Sequence, residues 1–303
     1  MVIGISPLVD FAFKLMLGSP FHTRVTIHFL NAILGDQTKI AHVKIMNPIL
    51  DRESNDDKLS VLDILATDEH GRLLNIEMQT SLAAGFWQRL AYYVSTVYVG
   101  QLREGNDYAD LRPAISICVL SDGVFPKSTG LHLDFRLKEA NSGLILTDDI
   151  QIHLLQLKKL RATNKTVYNA TPVERWAFFL QNAENLSLDD VCKIFPDDEF
   201  TEAAEVLEMI SQTPEQMMLY NARLKFQRDE AARLRMALEG GREEGFRDGE
   251  AKGRQEGRQE GRITLLQELL GLPLTTPQEF MQYDLSQLNA FEERLQQQLR
   301  LRG

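Results

Sequence analysis

Asp63, Glu77 and Gln79 are the residues whose types and spacing could do chemistry together. Asp63 lies between Leu62 and Ile64, and Glu77 between Ile76 and Met78, so both acids interrupt apolar stretches. Residues 59–67 and 73–79 read as strands, joined by Asp68-Glu69-His70-Gly71, a hairpin signal. Side chains alternate along a strand, so Glu77 and Gln79 project the same way, and the hairpin sets Asp63 opposite or diagonal to Glu77. Two carboxylates meeting across a strand pair repel unless a cation neutralises them. Carboxylate oxygens with few nitrogen or sulfur ligands favour a hard ion such as Mg²⁺. The plainer alternative is that both acids alternate outward on a half-exposed sheet, and the spacing alone does not separate the two.

The elements that must position these residues follow from the apolar pattern. Residues 7–35 read as helix, with Phe11, Lys14 and Leu15, then a restart at Ser19-Pro20, then Val25, Phe29, Ile33 and Leu34 on one stripe. Ser19 suits a cap, Pro20 the first helical position, and Gly35-Asp36 the stop. Residues 40–50 form a first strand-like run. Residues 84–103 read as a helix with Phe86, Leu90, Tyr93, Val94 and Val97 on its apolar face. Residues 113–120 are nearly continuously apolar, as expected of a strand buried on both faces. Residues 131–137 and 151–157 are weaker strand candidates.

Beyond about residue 165 the pattern turns helical. Thr171-Pro172-Val173-Glu174, Thr213-Pro214-Glu215-Gln216 and Thr276-Pro277-Gln278-Glu279 share one signature: a capping threonine, a proline and a Glu or Gln at the third position. Between 241 and 261 glycine recurs every fourth residue, at Gly241, Gly245, Gly249, Gly253, Gly257 and Gly261, among charged residues and Gln. Pairs such as Glu243–Arg247, Asp248–Lys252 and Glu250–Arg254 have helical spacing. Six glycines cost a helix roughly 6 kcal/mol relative to alanine. Either the segment packs closely on a partner through its glycine stripe or it is a flexible linker. Amphipathic helix resumes over 263–272 and 278–301, with Phe291, Leu295 and Leu299 on one face. The expected organisation is therefore a core over 1–165, a helical region over 166–240, the glycine-periodic segment over 241–262 and a C-terminal helical unit over 263–303.

Bulk properties narrow the class. The 303 residues suffice for one sizeable core and a smaller second unit. No run approaches the roughly 18 to 20 apolar residues of a membrane helix. The N-terminus lacks the pattern of a signal peptide. Two cysteines, Cys118 and Cys192, cannot make a disulfide framework, which points to a reducing, cytoplasmic setting. The net charge is −10, and neither part of the chain is basic: residues 1–160 hold 15 Lys and Arg against 18 Asp and Glu. Binding to nucleic acid must then rest on metal ions and a local patch.

Five segments together resemble a known family: Asp10-Phe11-Ala12-Phe13-Lys14, Leu62-Asp63-Ile64, Asn75-Ile76-Glu77-Met78-Gln79, Arg89-Leu90-Ala91-Tyr92-Tyr93 and Gln101-Leu102-Arg103-Glu104-Gly105. In this order and at this spacing, over about residues 5–160, they resemble the recombination-promoting (Rpn) nucleases of the PD-(D/E)XK superfamily, also labelled transposases. The resemblance implies an α/β fold: a restriction-endonuclease-like mixed sheet of four or five strands flanked by helices, followed by an all-helical C-terminal region. It also implies a metal-dependent DNA endonuclease, linked to recombination, mobile elements or phage defence. Asp63 matches the motif aspartate and Glu77 the second metal-binding acid, with the Met78 carbonyl completing the set around Mg²⁺, for which Mn²⁺ can substitute. Gln79 stands where most of the superfamily has lysine, and an uncharged amide orients water without offsetting charge. Lys14 could supply the missing cation, and Asp10, on the same helical face, a further carboxylate. Arg89 is a candidate DNA-phosphate contact, although a surface arginine is more often solvated.

The histidines show no zinc-ligand spacing, and neither a nucleotide-binding glycine loop nor a serine-nucleophile motif occurs. The competing reading is a catalytically weak nuclease-fold scaffold that acts through protein–protein contacts of its helical C-terminus. Expected partners are DNA and a second copy of the chain, through the C-terminal helices. By the resemblance, a C-terminal fragment started internally, at Met209, Met217, Met218 or Met236, would restrain the nuclease.

Overall fold

The computed structural model describes residues 1–35, 39–46, 63–80, 82, 84–103, 105–125 and 130–301. Two helices, α1 (Asp10–Leu17) and α2 (Thr23–Leu34), precede β1 (Val43–Ile45), β2 (Ile64–Asp68) and β3 (Leu73–Gln79). Then come α3 (Phe86–Val99), β4 (Ala114–Leu120), β5 (His132–Lys138) and β6 (Ile145–Gln156). The rest is helical: α4 (Pro172–Asn182), α5 (Leu188–Ile194), α6 (Asp198–Gln212), α7 (Pro214–Leu270), α8 (Pro277–Phe280) and α9 (Leu285–Arg300).

The strands make one sheet in the order β1-β2-β3-β4-β6-β5, six rather than the expected four or five. β2 and β3 pair antiparallel across the Asp68–Gly71 turn, where Gly71 takes φ 79°, while β3, β4 and β6 run parallel. All seven residues of β4 are buried, as its apolar run requires. β1, of three residues, lies at one edge within the first strand-like run. Residues 47–50 of the run it was read from, together with residues 59–62 and Glu104, lie outside the described residues.

Alternation sorts the sheet into two faces. Ile64, Ala66, Leu74, Ile76, Met78, Ile117 and Val119 join Phe13, Phe29, Trp176, Phe179 and Phe200 in the main core. The opposite face is covered by α3 through Phe86, Leu90, Tyr93, Val94 and Val97. α4 to α6 bury their aromatic residues in the same core as the sheet, and the chain forms two compact units, Met1–Asp229 and Glu230–Gly303.

Two local expectations are corrected. Ser19 and Pro20 do not restart a helix; they form the turn between α1 and α2, where Ser19 Oγ accepts from the Phe21 amide. Thr213 closes no capping box among the described residues; its hydroxyl turns back toward α6 and donates to the Met209 carbonyl, 2.9 Å away. Thr171 and Thr276 do close theirs. The glycine-periodic segment is helical within α7, and a Cβ added at any of Gly241 to Gly261 in that series would meet nothing within 4 Å. The stripe therefore packs on no described residue of this chain. In the second unit, Ile263, Leu270, Phe280, Leu288 and Leu295 form a small core of their own, and Gly271 at φ 64° ends α7.

Candidate active site

Asp63 immediately precedes β2. Ile64 pairs with Ile76, and the same register continued by one step sets Asp63 across from Glu77. Directly opposed residues of an antiparallel pair share a face. Alternation turns Glu77 toward the α3 side of the sheet with Gln79, two residues on and half-buried, while Asp63, one residue short of β2, meets the Met78 amide and Lys14 of α1.

Each carboxylate is held differently. Asp63 Oδ2 accepts from the Met78 amide at 3.1 Å, and its Oδ1 lies 3.1 Å from Lys14 Nζ. Lys14 also reaches Asp10 Oδ1 at 2.8 Å, one helical turn away, and Asp10 Oδ2 lies 3.8 Å from Arg223 Nε. Glu77 is 2% exposed, and Oε1 accepts from Asn75 Nδ2 at 3.0 Å. Asn75 is itself buried, contacts Ser116 Oγ at 3.4 Å, and leaves Oδ1 without a hydrogen-bond partner among the described residues.

Burial pushes Glu77 up to about 7; the neighbouring Asp63 adds to the rise, while Asn75, Arg89 and Lys14 oppose it. Burial also raises Asp63, with Asp10 adding to it against Lys14 and the Met78 amide. Burial works to lower the Lys14 ammonium, but Asp63 and Asp10 outweigh it and the net shift is upward. Cys118, on β4 opposite Glu77, is kept a neutral thiol by burial. Arg89, half-buried on the first turn of α3, stacks 5.8 Å above Phe86 and leaves two buried guanidinium nitrogens without a hydrogen-bond partner among the described residues.

The donor set suits a hard divalent cation: two carboxylates from adjoining strands, a thiol withheld as the neutral form, and a buried acid whose charge the fold offsets only partly. Asp63 and Glu77 are the residues that could hold it. Asp10 joins them through Lys14, not directly, and among the described residues no group of three or more His, Cys, Asp or Glu side chains is arranged to hold an ion.

Three residues at the site were missed in the sequence. Asn75 was legible, since Asn75, Glu77 and Gln79 are alternate polar residues of one strand. Arg223 and Gln227 carry no such signal. Gln227 Nε2 donates to the Leu8 carbonyl at 2.9 Å and to Thr80 Oγ1 at 3.0 Å, tying the start of α1 to the end of β3 across 147 residues. Tyr220 adds to this clasp, its hydroxyl accepting from the Ser6 amide at 3.0 Å.

A mixed sheet flanked by helices, with an acid pair meeting on adjacent strands beside a lysine, defines a nuclease core of the PD-(D/E)XK kind. The chain belongs to the family described as PD-(D/E)XK nuclease family transposase, which it matches over residues 7–237. No curated protein and no solved structure matches it. Among the described residues, no helix is long and apolar enough to cross a membrane.

Proposed function

We propose that the chain is a DNA endonuclease that works with a divalent cation, Mg²⁺ or Mn²⁺, at Asp63 and Glu77. The observation that carries this reading is the nearness of the two acids at adjoining strands beside Lys14, Glu77 being buried with its charge incompletely offset. A bound divalent cation would lower the pKa of an attacking water and offset charge on the scissile phosphate. The Met78 amide and Lys14 fix the Asp63 carboxylate, so its orientation is set before substrate arrives. Asn75 holds Glu77 in the same way. Lys14, kept charged by Asp63 and Asp10, stabilises negative charge gathering on the phosphate oxygens. Gln79 holds the water in line, the task that lysine performs elsewhere in the superfamily, and the Met78 carbonyl adds an oxygen. Arg89 contacts a neighbouring phosphate. The setting is cytoplasmic, and the role lies in recombination, element mobility or phage defence.

The experiment uses supercoiled plasmid, which reports an internal cut as nicked or linear product. Asp63→Ala and Glu77→Ala should each abolish Mg²⁺-dependent cutting while circular dichroism shows an intact fold. Undiminished cutting by both folded variants would refute the assignment and favour the scaffold reading.

A further inference from the structure

The acids lie toward one end of β3, and what borders that end has no role yet. Registers run level through the parallel strands: Gln79 pairs with Leu120, and Leu120 with Gln156. The carboxyl ends of β3, β4 and β6 therefore line one edge of the sheet, about 10 Å from β3 to β6 at two strand spacings. The edge is continuous. Ser121 donates its amide to the Gln79 carbonyl at 3.1 Å, and the Lys159 stem lies over Gly123, where an added Cβ would come within 3.2 Å of Lys159 Cε.

From β6 the chain passes straight into Lys158, Lys159, Arg161 and Lys165, four cations within eight residues and no acid among them. Two buried anchors hold this loop, Leu157 at 1% exposure before it and Val167 at 1% after it. Its turn is closed from within, Thr163 donating to Thr166 Oγ1 at 2.9 Å and the Val167 amide to the Thr163 carbonyl at 2.9 Å. Lys158 pairs with Asp122, whereas Arg161 and Lys165 are exposed and make no ion pair with a described residue. Beside them opens a cleft of about 580 Å³ that Lys165 lines together with Thr163, Asn164, Gln181 and Asn182. The other edge of the sheet carries both signs, with Asp107, Asp110 and Arg112 ahead of β4 and Asp148, paired with Arg136, and Asp149 in β6 ahead of its pairing with β4.

We infer that the loop over residues 158–165 is a binding track for the phosphate backbone of DNA leading away from the acid pair, with Arg161 and Lys165 as its phosphate contacts. The inference rests on the DNA reading above and deepens it. It also offers a way for a chain of net charge −10 to hold a polyanion: a run of four cations with no acid among them borders the sheet edge nearest the acid pair.

The test uses the full chain carrying Glu77→Gln, so that substrate stays uncut, and a labelled 30-base-pair duplex in Mg²⁺ across a KCl series. Adding Arg161→Ala and Lys165→Ala should weaken binding about tenfold at moderate salt and lower the slope of log K against log [KCl] by about two. The charge-keeping pair Arg161→Lys and Lys165→Arg should restore most of both. If the alanine pair binds with unchanged affinity and slope, the track is overturned while the DNA reading stands. If the Glu77→Gln chain binds no duplex at all, and neither does the unsubstituted chain, both fall.

Discussion

Asp68 and Glu77 are buried carboxylates near opposite ends of one hairpin, and they are built for different tasks. Asp68 is 7% exposed and fully engaged: Arg72 Nε at 2.5 Å, the Arg72 amide at 2.9 Å and the His70 amide at 3.0 Å all donate to it. Glu77 is 2% exposed with Asn75 as its hydrogen-bond donor, and a second acid, Asp63, is near enough to push it further up. A carboxylate the fold satisfies stabilises the turn that contains it. One left short of donors beside another acid is, on the proposal above, the group that would take a cation. Burial alone does not separate the two; the partners do.

The comparison breaks most plainly on activity. Glu77→Gln should lower plasmid cutting by at least about 10²-fold, while Asp68→Asn, assayed where it remains folded, should stay within a few-fold of the parent. Denaturant unfolding should give the mirror image. Removing the charge of Asp68 leaves Arg72 buried without its counter-ion and should destabilise by about 3 kcal/mol. Glu77→Gln should do the reverse at high pH. Its folded-state value of about 7 stands above the ordinary 4.5, so the folded chain keeps a proton that the unfolded chain releases between those values. The stability present below pH 4.5 is lost as pH climbs through 7, by about 3 kcal/mol in all. Glu77→Gln should therefore be the more stable protein at pH 8, with the difference nearly gone at pH 4.5. Equal stability at pH 8 would remove the distinction between the two acids.

Smaller effects sharpen it. Asn75→Ala frees the Glu77 carboxylate to rotate and should weaken Mn²⁺ binding, followed by titration calorimetry, about tenfold. Unaltered binding would reduce Asn75 to packing. Smallest, Mg²⁺ at ten times its dissociation constant should raise the melting temperature of the parent by about 2 to 4 °C, reversibly with EDTA, and leave Glu77→Gln unmoved.

How much of this was legible depends on the range of the interaction. The acid pair could be read because a two-strand register needs only a turn and an alternation, and Asp68 to Gly71 supplied both. The buried β4 was equally plain from composition. Ser19-Pro20 misled because a capping signature and a turn use the same residues, and the turn wins where the chain must bend between α1 and α2. At Thr213 two helices compete for one hydroxyl, and the C-terminus of α6 takes it. The union of α4 to α6 with the sheet was hidden because Trp176 and Phe200 look alike in sequence whether they bury one another or a distant strand. Arg223 and Gln227 were hidden for the same reason.

The clasp that Gln227 makes on Leu8 and Thr80 sets an order of events at the ribosome. At roughly 5 to 20 residues per second, the 147 residues between Thr80 and Gln227 take about 7 to 30 seconds to be made. During that interval the strands bearing Asp63 and Glu77 already exist, but the latch that joins their segment to the Lys14 helix does not. The contact that spans the two can therefore form only after both have long been made.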